Sequence, residues 1–140
     1  MQNFRNLEVW RYSHALTLEI YRITEAFPRA EMFGLTSQLR RAACSVAANL
    51  AEGCGRTEAE FGKFIQIALG SASEVEYHLL LARDLGFLSL EAYQQPSTTA
   101  VRIKRMLASL LKRIRGGATP SGISPKRRAT VVRVVSLGAG

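Results

Sequence analysis

Three side chains could exchange protons if the fold brought them together: Glu52, Glu74 and His78. Ser71, Glu74 and His78 are spaced 3 and 4 apart, so they share one face of a helix. Gln38, Arg41, Ser45, Asn49 and Glu52, spaced 3, 4, 4 and 3, line one face of another. Two facing polar stripes can form a pocket between helices, or a hydrogen-bonded network that fixes their register. Arg41 could pair with Glu74 or with an acid on a neighbouring subunit. General acid–base chemistry needs groups within reach of one substrate and suitably shifted pKa values, and the spacing supplies neither. The sequence holds no nucleophile elbow, no H-E-x-x-H and no phosphate loop. Gly53-Cys54-Gly55 follows no strand and reads as a helix stop. The stripes are therefore expected to be a structural network (Gln38, Arg41, Ser45, Asn49, Glu52, Ser71, Glu74), with no catalytic residue, and the protein is expected not to be an enzyme.

The two cysteines, Cys44 and Cys54, are too few for a disulfide scaffold. On one helix they would stand about 15 Å apart, whereas a disulfide needs Cα atoms within roughly 7 Å. The two histidines, His14 and His78, have no helical partner ligand, and there is no C-x-x-C. Neither a metal nor a cofactor is expected, and the cysteines read as small apolar residues.

Charge is the stronger signal. The 140 residues carry 19 Lys+Arg against 11 Asp+Glu, a net charge of +8, with a pI near 10.2. Such a balance suits a polyanionic partner. Candidate phosphate contacts are Arg22 and Arg29, in and after a first helix; Arg40 on a second; and Lys63 on a third. A dense group on a fourth adds Arg102, Lys104, Arg105, Lys112, Arg113 and Arg115. Contacts of this kind are indifferent to base sequence and weaken steeply with salt. No aromatic-rich surface for base stacking is visible. The alternative reading is a protein-only adaptor whose basic face docks an acidic protein. No run of about 18 apolar residues could span a membrane, and the N-terminus lacks the layout of a signal peptide. A cytoplasmic location is expected.

These side chains must be positioned by helices. Val9, Tyr12, Leu16, Ile20, Ile23 and Phe27, spaced 3, 4, 4, 3 and 4, predict a first helix over 7–27, ended by Pro28. Leu35, Leu39, Ala43, Val46 and Leu50 predict a second over 34–52. Thr57 and Glu60 form a capping box. It opens a heptad run of Phe61, Ile65, Ala68, Ala72, Val75, Leu79 and Ala82, closed by Gly86. The small residues Ala68, Gly70, Ser71 and Ala72 would let a neighbour approach closely. Ala100, Ile103, Leu107, Leu110 and Ile114 predict a fourth helix after an N-cap at Ser89. Pro96 should kink or break it, leaving 90–94 as a separate turn. No strand pattern interrupts the body. The expected fold is all-α: an antiparallel up-down four-helix bundle over 1–115 and a disordered basic tail over 116–140. The tail's Lys126, Arg127, Arg128 and Arg133 supply half the net charge. Trp10, Thr17, Tyr21, Phe64 and Ile67 fall off the main stripes, which points to self-association.

The run Gln38-Leu39-Arg40-Arg41-Ala42-Ala43-Cys44-Ser45-Val46-Ala47-Ala48-Asn49-Leu50-Ala51-Glu52-Gly53 resembles the signature of the 23S rRNA intervening-sequence protein family. Phe4, Leu7 and Trp10, the Phe27-Pro28 turn and Phe33-Gly34-Leu35 fit the same pattern. So do Glu60-Phe61, Phe64, Ala68-Leu69-Gly70-Ser71 and Glu74. The resemblance covers roughly 4–115. It implies a four-helix bundle assembling into a barrel-shaped homopentamer, and its setting in 23S rRNA genes makes RNA the expected ligand. The family is also similar to the accessory variability protein of diversity-generating retroelements, which binds a reverse transcriptase and nucleic acid through a basic surface. The implied partners are thus the chain itself, RNA or DNA, and a reverse transcriptase or other protein. The tail lies outside the resemblance.

Overall fold

Three of the four helices begin at a short polar side chain or a glycine. The structure, a computed structural model, describes residues 3–116. These hold α1 (Glu8–Thr24), α2 (Leu35–Cys54), α3 (Glu58–Asp84) and α4 (Leu90–Gly116), with single 3₁₀ turns at Phe4–Asn6 and Arg29–Glu31. Among them there is no strand. Apart from Gly116, which closes α4, the tail expected over 116–140 lies outside the described residues.

Thr57 caps α3 by accepting the Glu60 N–H at 3.3 Å; the return bond from Glu60 is not made. Ser89 caps α4 by accepting the Ala92 N–H at 3.1 Å. At the end of α3, Gly86 takes φ +78°. Its N–H donates to the Arg83 carbonyl at 3.0 Å, and the Phe87 N–H reaches the Ala82 carbonyl at 2.9 Å. This is the paired closure that a left-handed glycine allows. α1 stops at Thr24, three residues before Phe27. The chain turns there, with the Phe27 N–H donating to the Thr24 carbonyl at 3.1 Å. The turn swings Phe27 into the core, its ring centroid 6.0 Å from that of Phe87.

The four helices form an antiparallel up-down bundle. Each packs on its neighbour in sequence, α1 closes the ring against α4, and the backbones of the diagonal pairs stay apart. The heptad positions of α3 are all buried, as are Val9, Leu16 and Ile20 of α1, Leu39, Ala43, Val46 and Leu50 of α2, and Ala100, Ile103 and Leu107 of α4. Burying each large apolar side chain contributes about 1.5–3 kcal/mol.

Three expectations are corrected. α4 runs unbroken through Pro96. The ring is fully buried, and the carbonyl left without a donor is that of Ala92 on an exposed turn, where water can serve it. Gly53 does not stop α2; it lies within the helix and Gly55 caps it. A Cβ at Gly53 would stand 2.6 Å from Phe64 Cβ and 2.9 Å from Phe61 Cδ1, so glycine is there to let α3 approach. Thr17 is not on an outer face: it is buried, and its hydroxyl donates to the Ser13 carbonyl at 2.8 Å and the Ala43 carbonyl at 3.1 Å. Of the small residues on α3, Ala68 and Ala72 are fully buried, whereas Gly70 is exposed with nothing near it.

Gly53→Ala is expected to lower stability by about 1–3 kcal/mol through this clash. Gly70→Ala, in open space on a helix, is expected to raise it by roughly 0.5–1 kcal/mol. Urea unfolding of the two variants beside the parent checks both signs at once.

Candidate nucleic-acid interface

From Ala92 to Gly116 the chain has six cations and no acid. The bundle sorts those cations by which neighbour they face. On the α3 side, Lys104 Nζ reaches Glu76 Oε1 at 2.9 Å. Arg115 lies over Gly62, where a Cβ would meet its Nε at 3.7 Å. On the α1 side, the Arg102 guanidinium sits 4.6 Å from the centre of the Tyr12 ring. Arg105 and Arg113 line a groove of about 300 Å³ between the start of α1 and the second half of α4. Val9 is buried and Leu7, Met106 and Leu110 are half-buried, so the floor is apolar; Arg105, Ser109 and Arg113 are exposed at its edge, opposite Glu8. Lys112 is exposed on the outer surface of α4. Arg105, Lys112 and Arg113 make no ion pair with any described residue.

The other predicted cations do not join this face as a cluster. Arg22, Arg29 and Lys63 are exposed on α1, on the turn after it and on α3. Arg40 belongs to the fold: its Nε donates to Thr24 Oγ1 at 2.9 Å, and its guanidinium sits 4.7 Å from the Tyr21 ring centre.

The polar stripes meet at one point. Ser71 Oγ donates to Ser45 Oγ at 2.8 Å, and Asn49 Nδ2 donates to the Ser45 carbonyl at 2.8 Å and to its Oγ at 2.9 Å. Glu52 is held by Arg56 instead. Gln38, Arg41 and Glu74 are exposed, and Arg41 and Glu74 form no ion pair with each other. With Ser45 level with Ser71, Glu52 lies seven residues toward one end of the antiparallel pair and His78 seven toward the other. They are about 20 Å apart along the bundle axis, so Glu52, Glu74 and His78 do not form one acid–base site. His78 is buried, with Nδ1 lacking a partner. Both cysteines lie on α2 and neither is in a disulfide. Cys44 Sγ is 3.7 Å from the Tyr21 hydroxyl, whose pKa that contact raises. Burial pushes the Cys54 thiol up, away from the reactive thiolate. Among the described residues, no three His, Cys, Asp or Glu side chains gather as a metal would require, and no helix is long and apolar enough to cross a membrane.

Residues 5–109 match the family described as 23S rRNA-intervening sequence protein. The chain belongs to that family. A crystal structure of a protein of unknown function from the S23 ribosomal protein family of Bacteroides thetaiotaomicron VPI-5482 has the same fold, with a TM-score of 0.69 and 25% identity. The match covers 74% of this chain and 95% of that one. No curated protein matches the sequence.

Sequence reasoning missed the groove. Tyr12 and Leu110 read as members of apolar stripes, and only the α1–α4 register shows that one carries Arg102 and the other floors a cleft. The available signal was the acid-free run after Glu91.

Arg40→Ala is expected to lower unfolding stability by about 1–2 kcal/mol, through its lost hydrogen bonds and ring contact. Arg105→Ala should leave stability within about 0.5 kcal/mol. Denaturation midpoints of the two variants test the division between structural and free arginines.

Proposed function

We propose that this protein is a non-enzymatic, homo-oligomeric RNA-binding scaffold whose nucleic-acid surface is the α1–α4 face. The observation that carries the reading is the acid-free run of α4, which exposes Arg105, Lys112 and Arg113 beside Arg102, with no ion-pair partner among the described residues. Cations held on a helix and left without an ion-pair partner among the described residues are what a phosphate backbone recruits. RNA is favoured over DNA by the family's association with intervening sequences of 23S rRNA.

The scaffold is proposed to be the homopentamer that the family resemblance implies. A ring of identical subunits needs two different patches on each copy. Leu18 and Tyr21 on α1, and Ile67 and Tyr77 on α3, are roughly half exposed, and they offer two apolar patches on the two helices that flank α2. Five copies would array the basic faces around one axis and hold RNA for a partner enzyme, a reverse transcriptase or another protein, that acts on it.

Light scattering is expected to give five times the 15.4 kDa chain, about 77 kDa. Ile67→Glu should reduce that mass while helicity by circular dichroism persists. On the parent oligomer, RNA affinity should fall steeply with salt. Each of Arg105, Lys112 and Arg113 changed to Glu should reduce the log–log salt slope by about 0.7 or more, and the triple variant should lose binding with its mass unchanged. A parent oligomer indifferent to RNA would overturn the nucleic-acid reading and assign the basic face to an acidic protein.

A further inference from the structure

A surface that reads only backbone charge has no need of an apolar cleft, yet the cations of the α1–α4 face surround one. The groove lies where α1 begins and α4 nears its end, on the same end of the bundle as the turn from α2 to α3. Its floor is Leu7, Val9, Met106 and Leu110. Arg105 and Arg113 stand eight residues apart along α4, about 12 Å, with the exposed Ser109 between them. One helical turn from Arg105 toward the middle of the bundle, Arg102 lies over Tyr12 at 4.6 Å, its guanidinium otherwise open to solvent. A guanidinium supported on an aromatic ring is a flat, charged platform, and unpaired bases stack on such planes. The apolar floor beside it can take the face of a base, while the edge arginines are placed for the flanking phosphates. A duplex keeps its base faces stacked inside and could use only the arginines.

We propose that this face selects single-stranded RNA, with an unpaired base lying against the Arg102–Tyr12 pair and the groove floor, and with Arg105 and Arg113 on the adjoining phosphates. This rests on the RNA-binding reading and adds to it the class of RNA. The other occupant that fits an apolar cleft edged by arginines is an acidic peptide with an apolar side chain; the flat cationic platform one turn along α4 from the cleft favours the nucleotide.

The test uses the full chain and a labelled RNA of about 12 nucleotides, read by fluorescence anisotropy. The RNA is presented as a single strand, as a duplex of the same sequence, and as a single strand carrying abasic positions. The intact single strand should bind about tenfold or more tightly than either of the others, the scale of one base stack. Arg102→Lys keeps the charge and loses the plane. It should weaken single-strand binding several-fold, leave the salt slope unchanged and leave duplex binding untouched. The abasic RNA keeps the test independent of protein folding. Equal binding of single strand, duplex and abasic strand would overturn this inference while leaving the RNA-binding reading intact. Failure of every RNA to bind would overturn both, and competition by an acidic leucine-containing peptide would then give the groove to a protein.

Discussion

The bundle depends on how closely α2 and α3 can approach. Gly53 admits the side chains of Phe61 and Phe64 where any Cβ would collide, and Ala42, Ala43, Ala68 and Ala72 are all buried on the two helices. Small residues set the distance, and the larger Val46, Leu50, Ile65 and Val75 fill what remains. That seam fixes the axial register, and the Ser45–Ser71 hydrogen bond lies within it. Once the pair is set, α4 lies on α3 and α1 on α2, and the two outer helices meet to close the ring.

The electrostatic character of α4 follows from that arrangement more than from its composition. α3 turns Glu76 toward Lys104, and the pair is partly exposed, so it contributes little to stability, about 0–1 kcal/mol. What it does is remove a free positive charge from one flank. α1 offers the other flank the Tyr12 ring and the apolar Leu7 and Val9, with Glu8 as the acid beside the groove. The cations that lie off the apolar stripe of α4 are thus divided by the fold, with Lys104 paired toward α3 and Arg102, Arg105 and Arg113 set toward α1. The cations near the C-terminus of α4 also face the negative end of its own dipole, which stabilises them there without neutralising their outward field.

Periodicity made most of the fold legible. The heptad of α3 is buried at every expected position, and the caps at Thr57, Ser89 and Gly86 act where short polar side chains or glycine predicted them. The misreadings share a cause. Pro96, Gly53 and Thr17 were judged by local rules, and each was decided by what sits across from it: a core that buries the proline ring, a phenylalanine that needs the glycine, a carbonyl that takes the hydroxyl. The basic residues were legible as a list and not as a surface. Nothing within the stretch around Arg40 says that Thr24 and Tyr21 would claim it, and nothing around Arg102 says that Tyr12 would lie beneath it.

α1 has 17 residues where its neighbours have 20, 27 and 27. Three of its six buried residues, Ser13, Thr17 and Thr24, are hydroxyl-bearing and donate to carbonyls one turn back in α1 itself. It thus brings only three buried apolar residues to the core, fewer than any other helix, and these hydroxyls bond largely within it. Such a helix is the natural first unit to detach in sub-global opening, with its amides exchanging ahead of those in the α2–α3 seam. Because α1 forms one wall of the basic groove, any molecule bridging that groove would act as a strap across the weakest joint of the bundle. Occupancy would then be readable as slowed exchange along α1, far beyond the residues in contact.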